Sequence, residues 1–160
     1  MIKRKLVTLL VKILNKLLFI NDQKKLQVIF NNSDITVGAG LVIEDYFSVK
    51  LPDSDFKITF GLNIRIKKYC NILLFPKAVL SIGSNVFFNN YCSVNCIENI
   101  SIGDDTMFGE GVKIYDHNHT HNYTENKLTV NRDQFKTAPV IIGKNCWIGS
   151  NVTILKGVTI

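Results

Sequence analysis

Residues 141–160 read IIGKNCWIGSNVTILKGVTI, and residues 102–119 read IGDDTMFGEGVKIYDHNH. In both, an aliphatic or aromatic residue returns every six positions: Ile102, Phe108 and Ile114, then Ile142, Ile148, Ile154 and Ile160. Ile82, Phe88 and Val94 keep the same beat further back. A glycine follows the apolar mark at 83, 103, 109, 143 and 149. Three positions after the mark stand Asn85, Asp105, Gly111, Asn145, Asn151 and Gly157; four positions after it stand the small residues Val86, Cys92, Thr106, Val112, Cys146, Val152 and Val158. Neither the helical nor the strand period explains this spacing. A fixed longer period marks a repeat architecture.

Each unit reads as a short strand followed by a sharp corner. The large mark and the small residue face inward together and fill a narrow core. Asn, Gly and Asp at the corner accept positive φ at low cost. Three units close a triangular coil of about eighteen residues, and stacked coils make a parallel β-helix. The coils begin near 64, 82, 102 and 142, and 160 opens another.

These two runs resemble the hexapeptide-repeat acyltransferases, and among them the sugar O-acetyltransferases: the galactoside and maltose acetyltransferases and those of bacterial surface polysaccharide synthesis. The resemblance covers roughly residues 60 to 160. It implies an all-β, left-handed parallel β-helix, although parallel crossovers are normally right-handed. It also implies acetyl-CoA as acyl donor, a sugar or polysaccharide acceptor, and a homotrimer with its sites between subunits.

The chain has 160 residues, 46% hydrophobic, which is ample for one core. The net charge of +6 would suit nucleic acid, anionic lipid or a phosphorylated ligand. No nucleic-acid-binding motif accompanies it, so no nucleic-acid partner is expected. The polyphosphate of coenzyme A accounts for part of the balance. Cys70, Cys92, Cys96 and Cys146 lack CxxC spacing and fall mostly on core positions, where thiols act as small hydrophobes. That usage fits a reducing, cytoplasmic compartment.

Residues 1–25 have helical apolar spacing (Ile2, Leu6, Leu9, Leu10, Ile13, Leu14, Leu17 and Leu18), interrupted by Lys3, Lys5, Lys12 and Lys16. An amphipathic helix is expected. It packs on the repeat domain or lies peripherally on an anionic inner membrane surface. The lysines disfavour a spanning helix, and the absence of a small-residue cleavage site disfavours a signal peptide. Residues 26–160 are then the β-helix domain, with 26–61 forming degenerate early coils. The beat slips by two residues at "CIEN" (96–99), which widens one corner. It is broken outright after Ile114: the next mark is due at 120 and comes at Ile142, an insertion of about 22 residues, and a polar, structureless loop is expected near 120–141, of the length that usually carries function.

All three histidines lie in "YDHNHTH", residues 115–121. A solvated loop with no role is the plain reading. The resemblance points elsewhere: the galactoside and maltose acetyltransferases share a Tyr-x-x-x-His motif whose His is the general base, matched here by Tyr115 and His119. An imidazole suits removal of an alcohol proton near neutral pH. His119 is the expected base and His117 the second candidate, with Asp116 either orienting one of them or capping a turn. Tyr115 joins the acceptor site. The same family places the Ser of Trp-Ile-Gly-Ser at the acetyl-CoA thioester, which carries over to Ser150, with Gly149 allowing close approach and Trp147 facing outward. Asn89 stands where those enzymes bind the acceptor.

The carbonic anhydrases of this fold gather three histidines from separate coils and two subunits. This chain has none outside the one cluster, so no metal is expected. Relatives normally continue past "GVTI" with another coil, whereas this chain stops on Ile160. A truncated product, or a non-catalytic oligomerisation module, is therefore the alternative to a working O-acetyltransferase.

Overall fold

The computed structural model describes residues 9–10, 12–14, 31–53 and 55–160. Residues 9–10 and 12–14 are helical, with Leu9, Leu10, Ile13 and Leu14 exposed. The rest of the amphipathic stretch within 1–25, and the first residues of the early coils at 26–30, lie outside the described residues.

From Ile35 onward the chain winds as a triangular parallel β-helix. The first face stacks Ile35–Val37, Lys57–Phe60, Val79–Ile82, Asn99–Ile102 and Val140–Ile142. The second stacks Val42–Ile43, Arg65–Ile66, Phe87–Phe88, Met107–Phe108 and Trp147–Ile148; the third stacks Ser48–Lys50, Asn71–Leu74, Ser93–Cys96, Lys113–Tyr115 and Thr153–Ile154. Every pairing within these faces is parallel and in register, so equivalent residues of successive coils lie above one another: Phe87, Met107 and Trp147, or Ile72, Val94, Ile114 and Ile154.

The six-residue beat follows from this stacking. The marks Ile82, Phe88, Val94, Ile102, Phe108, Ile114 and Ile142 are all at most 3% exposed, and the small slots Val86, Cys92, Thr106 and Val112 lie beside them. Phe88 and Phe108 stack inside the prism with centroids 4.7 Å apart. The slot opens in the last coil, where Val152 and Val158 are exposed. Truncating Phe108 would leave a hole that neighbouring coils cannot close, at a cost of about 3–5 kcal/mol.

The residues three positions after each mark have positive φ: Asn85, Asp105, Gly111, Asn145, Asn151 and Gly157 lie between 56 and 78°. At the first corner, between the first and second faces, they form a ladder. Asn63 Nδ2 donates to Asn85 Oδ1 (3.3 Å), and Asn85 Nδ2 to Asp105 Oδ1 (2.9 Å). The glycine after the mark has a different cause. A Cβ on Gly103 would come 2.6 Å from the backbone of Gly143, so the coils approach too closely there for any side chain.

The insertion occupies the predicted place but is not structureless. His117–Thr124 and Lys127–Thr137 pair antiparallel as a hairpin arm that leaves the third corner, between the third and first faces. Its tip is a two-residue turn, Glu125 and Asn126, with φ of 47 and 65°. Positive φ at both positions matches the twist of the flanking strands.

Candidate active site

The third corner is built around one carboxylate. Asp116 follows Lys113–Tyr115 of the third face and is fully buried. The widened corner of the coil below, at the slip in the beat, closes around it. The N–H groups of Ile97, Glu98 and Asn99 donate to its oxygens at 2.7–3.0 Å, and the Cys96 thiol approaches Oδ2 at 3.4 Å. Successive N–H groups converging in this way form an anion-binding nest. Burial, and then the adjacent Asp116 charge, push the Cys96 thiol far above its ordinary range, so it stays a protonated donor. The slip at "CIEN" was visible in the sequence. Its function as a ring of donors for a carboxylate one coil later was not.

Asp116 Oδ1 also accepts from His117 Nδ1 at 3.1 Å. The carboxylate that could cap a turn or orient a histidine therefore does both. His117 is 14% exposed through its side chain. Its ring meets Phe135 edge-on at 5.3 Å and tilts toward Phe75 and Tyr115 at 6.3 and 6.2 Å. His119 lies two residues along the arm, exposed, with its ring tilted against Phe135 at 4.7 Å. Its Nδ1 donates to the carbonyl of Asn131 at 3.1 Å. A carbonyl can only accept, so this bond places the proton on Nδ1 and leaves Nε2 of the neutral ring bare. The register shifts between His119 and His121, with Thr120 tied to Asn131 Nδ2 at 2.9 Å. Such bulges commonly re-aim a side chain beside a site. His121 sits beyond it, exposed and paired with Val130.

The second corner, between the second and third faces, has the opposite character. Gly149 and Ser150 are exposed there, and a Cβ on Gly149 would meet nothing within 4 Å. Trp147, on the adjoining face, is 82% exposed and points outward as expected. Asn89 lies in the same column two coils below; its N–H bonds to Phe108 O, and Gly109 N in turn bonds to Ile148 O. The open edge, bare backbone and lone hydroxyl leave room for an extended thioester arm against the coil.

The expected residues thus fall into two groups. Tyr115, Asp116, His117 and His119 gather at the third corner; Asn89, Gly149 and Ser150 share the second, with Trp147 beside them. The whole third face separates the two groups within one chain. Among the described residues no cluster of three or more His, Cys, Asp or Glu side chains is arranged to hold a metal ion, and all four cysteines are free thiols.

Residues 139–160 match the family described as the hexapeptide repeat of succinyl-transferase. The chain is 32% identical over 112 residues to the putative lipopolysaccharide biosynthesis O-acetyl transferase WbbJ of Escherichia coli K12, a match covering 67% of this chain and 57% of that protein. It is 35% identical over 104 residues to nodulation protein L of Rhizobium leguminosarum bv. viciae, covering 65% of this chain and 44% of that one. The chain therefore spans about half the length of these curated relatives. Among solved structures it is similar to a variant of AntD, an N-acyltransferase from Bacillus cereus, in complex with dTDP-4-amino-4,6-dideoxyglucose and coenzyme A. That likeness has a TM-score of 0.65 at 22% identity and covers 86% of this chain and 71% of the other, which is a likeness of fold. The six-residue repeat, the prism it builds and the family match agree: the chain belongs to the hexapeptide-repeat proteins.

Proposed function

We propose that this chain is an O-acetyltransferase that moves an acetyl group from acetyl-CoA to a hydroxyl of a sugar in the assembly of a bacterial surface polysaccharide. The observation that carries this reading is His119, exposed where the arm leaves the rigid coil, with its tautomer set by the Asn131 carbonyl so that Nε2 is free to accept a proton. The names of WbbJ and AntD, and the coenzyme A bound to AntD, support acyl transfer to a sugar.

Acetyl-CoA would supply the acyl group as an activated thioester. His119 Nε2 takes the acceptor's hydroxyl proton as its oxygen attacks, a contribution on the order of 10²–10⁴-fold. His117, held by Asp116, fixes Phe135 and through it the plane of His119. At the second corner, Gly149 leaves room for the pantetheine arm, Ser150 lies beside the thioester and Trp147 lines the cleft. Asn89 meets the acceptor. Because the two corners are separated by a face, the working site is formed between two copies, which supports a homotrimer with one chain's arm against the next chain's second corner. The chain acts in the cytoplasm, and the exposed Leu9, Leu10, Ile13 and Leu14 support peripheral contact with the membrane's inner face.

The test is release of free thiol from acetyl-CoA across a panel of sugars. Acceptor-dependent release is expected. Its absence with every sugar, together with no coenzyme A binding, would leave a non-catalytic repeat module.

A further inference from the structure

The second corner carries a row of side chains that the proposed chemistry does not use. At the left-handed position where the first corner uses Asn or Asp, three successive coils place Tyr46, Tyr69 and Tyr91, with φ of 61, 60 and 62°. A bulky residue is an outlier there. Burial does not explain the choice, since these tyrosines are 58, 44 and 53% exposed.

The rings form a ladder: Tyr46 on Tyr69 at 4.7 Å between centroids and 2° between planes, Tyr69 on Tyr91 at 5.0 Å and 4°. Parallel rings in contact lie roughly 3.5–4.0 Å apart. The longer centroid spacings mean that the rings are slid over one another like roof tiles, leaving part of each face and every phenol edge open to solvent. On the next coil the same position is Gly111, with φ 71° and no ring to cover Tyr91.

Two of the lysines beside the ladder are paired, and a third, Lys113, is turned onto the Gly111 carbonyl at 3.1 Å. Lys67 Nζ lies 2.9 Å from Glu44, and Lys68 Nζ 3.8 Å from Asp45. A phosphate would find neither lysine unpaired. Slipped aromatic faces flanked by amides and paired charges suit a neutral polyhydroxyl chain instead. The C–H face of a pyranose lies on a ring, and its hydroxyls reach phenol edges and the amides of Asn89 and Asn90. Asn89 lies level with Tyr91, and Gly149 and Ser150 continue the same edge two coils above it.

We propose that Tyr46, Tyr69 and Tyr91 form a glycan-binding strip that holds the sugars flanking the one to be acylated, so that the acceptor is an oligosaccharide or polymer and not a free monosaccharide. This rests on the reading of Asn89 and Ser150 as the acceptor and donor edge.

The experiment titrates the full chain with cellohexaose, maltohexaose and glucose, read by tyrosine absorbance and fluorescence in the absence of acetyl-CoA. The comparison is with the Tyr46→Asn/Tyr69→Asn/Tyr91→Asn variant, in which Asn keeps the left-handed corner as it does at the first corner, and with Tyr69→Phe. At least one hexasaccharide is expected to bind with a dissociation constant of about 1 mM or below, at least tenfold tighter than glucose. The triple variant should bind at least tenfold more weakly with an unchanged circular dichroism spectrum, and Tyr69→Phe should retain binding. The strip is overturned if neither hexasaccharide binds at about 10 mM, or if the triple variant binds as well as the parent. Saccharide binding without any acyl transfer refutes the proposed function and leaves the strip standing. Transfer that is equally efficient with glucose and hexasaccharide, and indifferent to the triple variant, does the reverse.

Discussion

The second and third corners of the prism are made of the same repeat and are chemically opposite. The third is dense: a buried carboxylate takes donors from three backbone N–H groups, a thiol and an imidazole, and two histidine rings pack against Phe135. The second is bare: Gly149 borders empty space, and Ser150 and Trp147 stand in solvent. Rigidity at one corner and room at the other are what a positioned base and a long flexible donor respectively need. Neither corner is a complete site by itself, and the proposed function therefore joins them across a contact between chains.

The sharpest contrast lies within the dense corner. His119→Ala should lower kcat for acyl transfer by about 10²–10⁴-fold with little change in melting temperature. His117→Ala should cost roughly tenfold, because it loosens the base without removing it. The reverse ranking in steady-state kinetics would move the base to His117. Asp116→Ala should act on the fold itself. It strands three part-buried N–H groups that face the buried carboxylate, and a loss of about 3–5 kcal/mol is expected in urea unfolding. A loss under about 1 kcal/mol would mean that water replaces the carboxylate.

At the bare corner stability and function should separate. The Cβ of Gly149→Leu meets no neighbour and the position is exposed, so unfolding should shift by less than about 0.5 kcal/mol. The KM for acetyl-CoA should rise about tenfold. Unchanged KM would remove Gly149 from the donor path.

The smallest effect belongs to the first corner, which takes no part in the site. Lys144 holds the Asp104 carboxyl below the usual carboxylate range through a 2.7 Å ion pair, helped by the Ser84 N–H. A depressed carboxyl contributes stability that is complete above its unfolded pKa and is lost as pH falls through its folded value. Asp104→Asn should therefore lower the melting temperature slightly at neutral pH and match the parent in strong acid. A gap that widens in acid would contradict this.

The prism was legible because each mark must fill a core and each corner must reach positive φ, demands that only a few residue types meet. Phe108 and Asn145 could be placed from spacing alone. The arm was not legible as a hairpin. Its strands are mostly exposed on both faces, so no core demands a pattern of them; the alternation of Leu128 and Val130 with Lys127, Thr129 and Asn131 is short, and Glu125 is an unusual residue for a turn needing φ of 47°. The tyrosine ladder was hidden for a related reason. Tyr69 and Tyr91 sit where Asn, Asp or Gly is expected, and only stacking across coils gives them meaning. The histidines were visible as a cluster, but the carbonyl of Asn131 that bonds His119 Nδ1 comes from twelve residues away, across the arm.

The most direct test of a site shared between chains is complementation. His119→Ala and Gly149→Leu, each with impaired transfer alone, are unfolded together, refolded as mixed oligomers and assayed for thiol release. If base and donor edge come from different chains, random mixing creates about a quarter of sites with both parts intact, and at acetyl-CoA well below KM activity rises above either parent. If mixing yields only the average of the two variants, both corners act within a single chain, and the shared site is refuted.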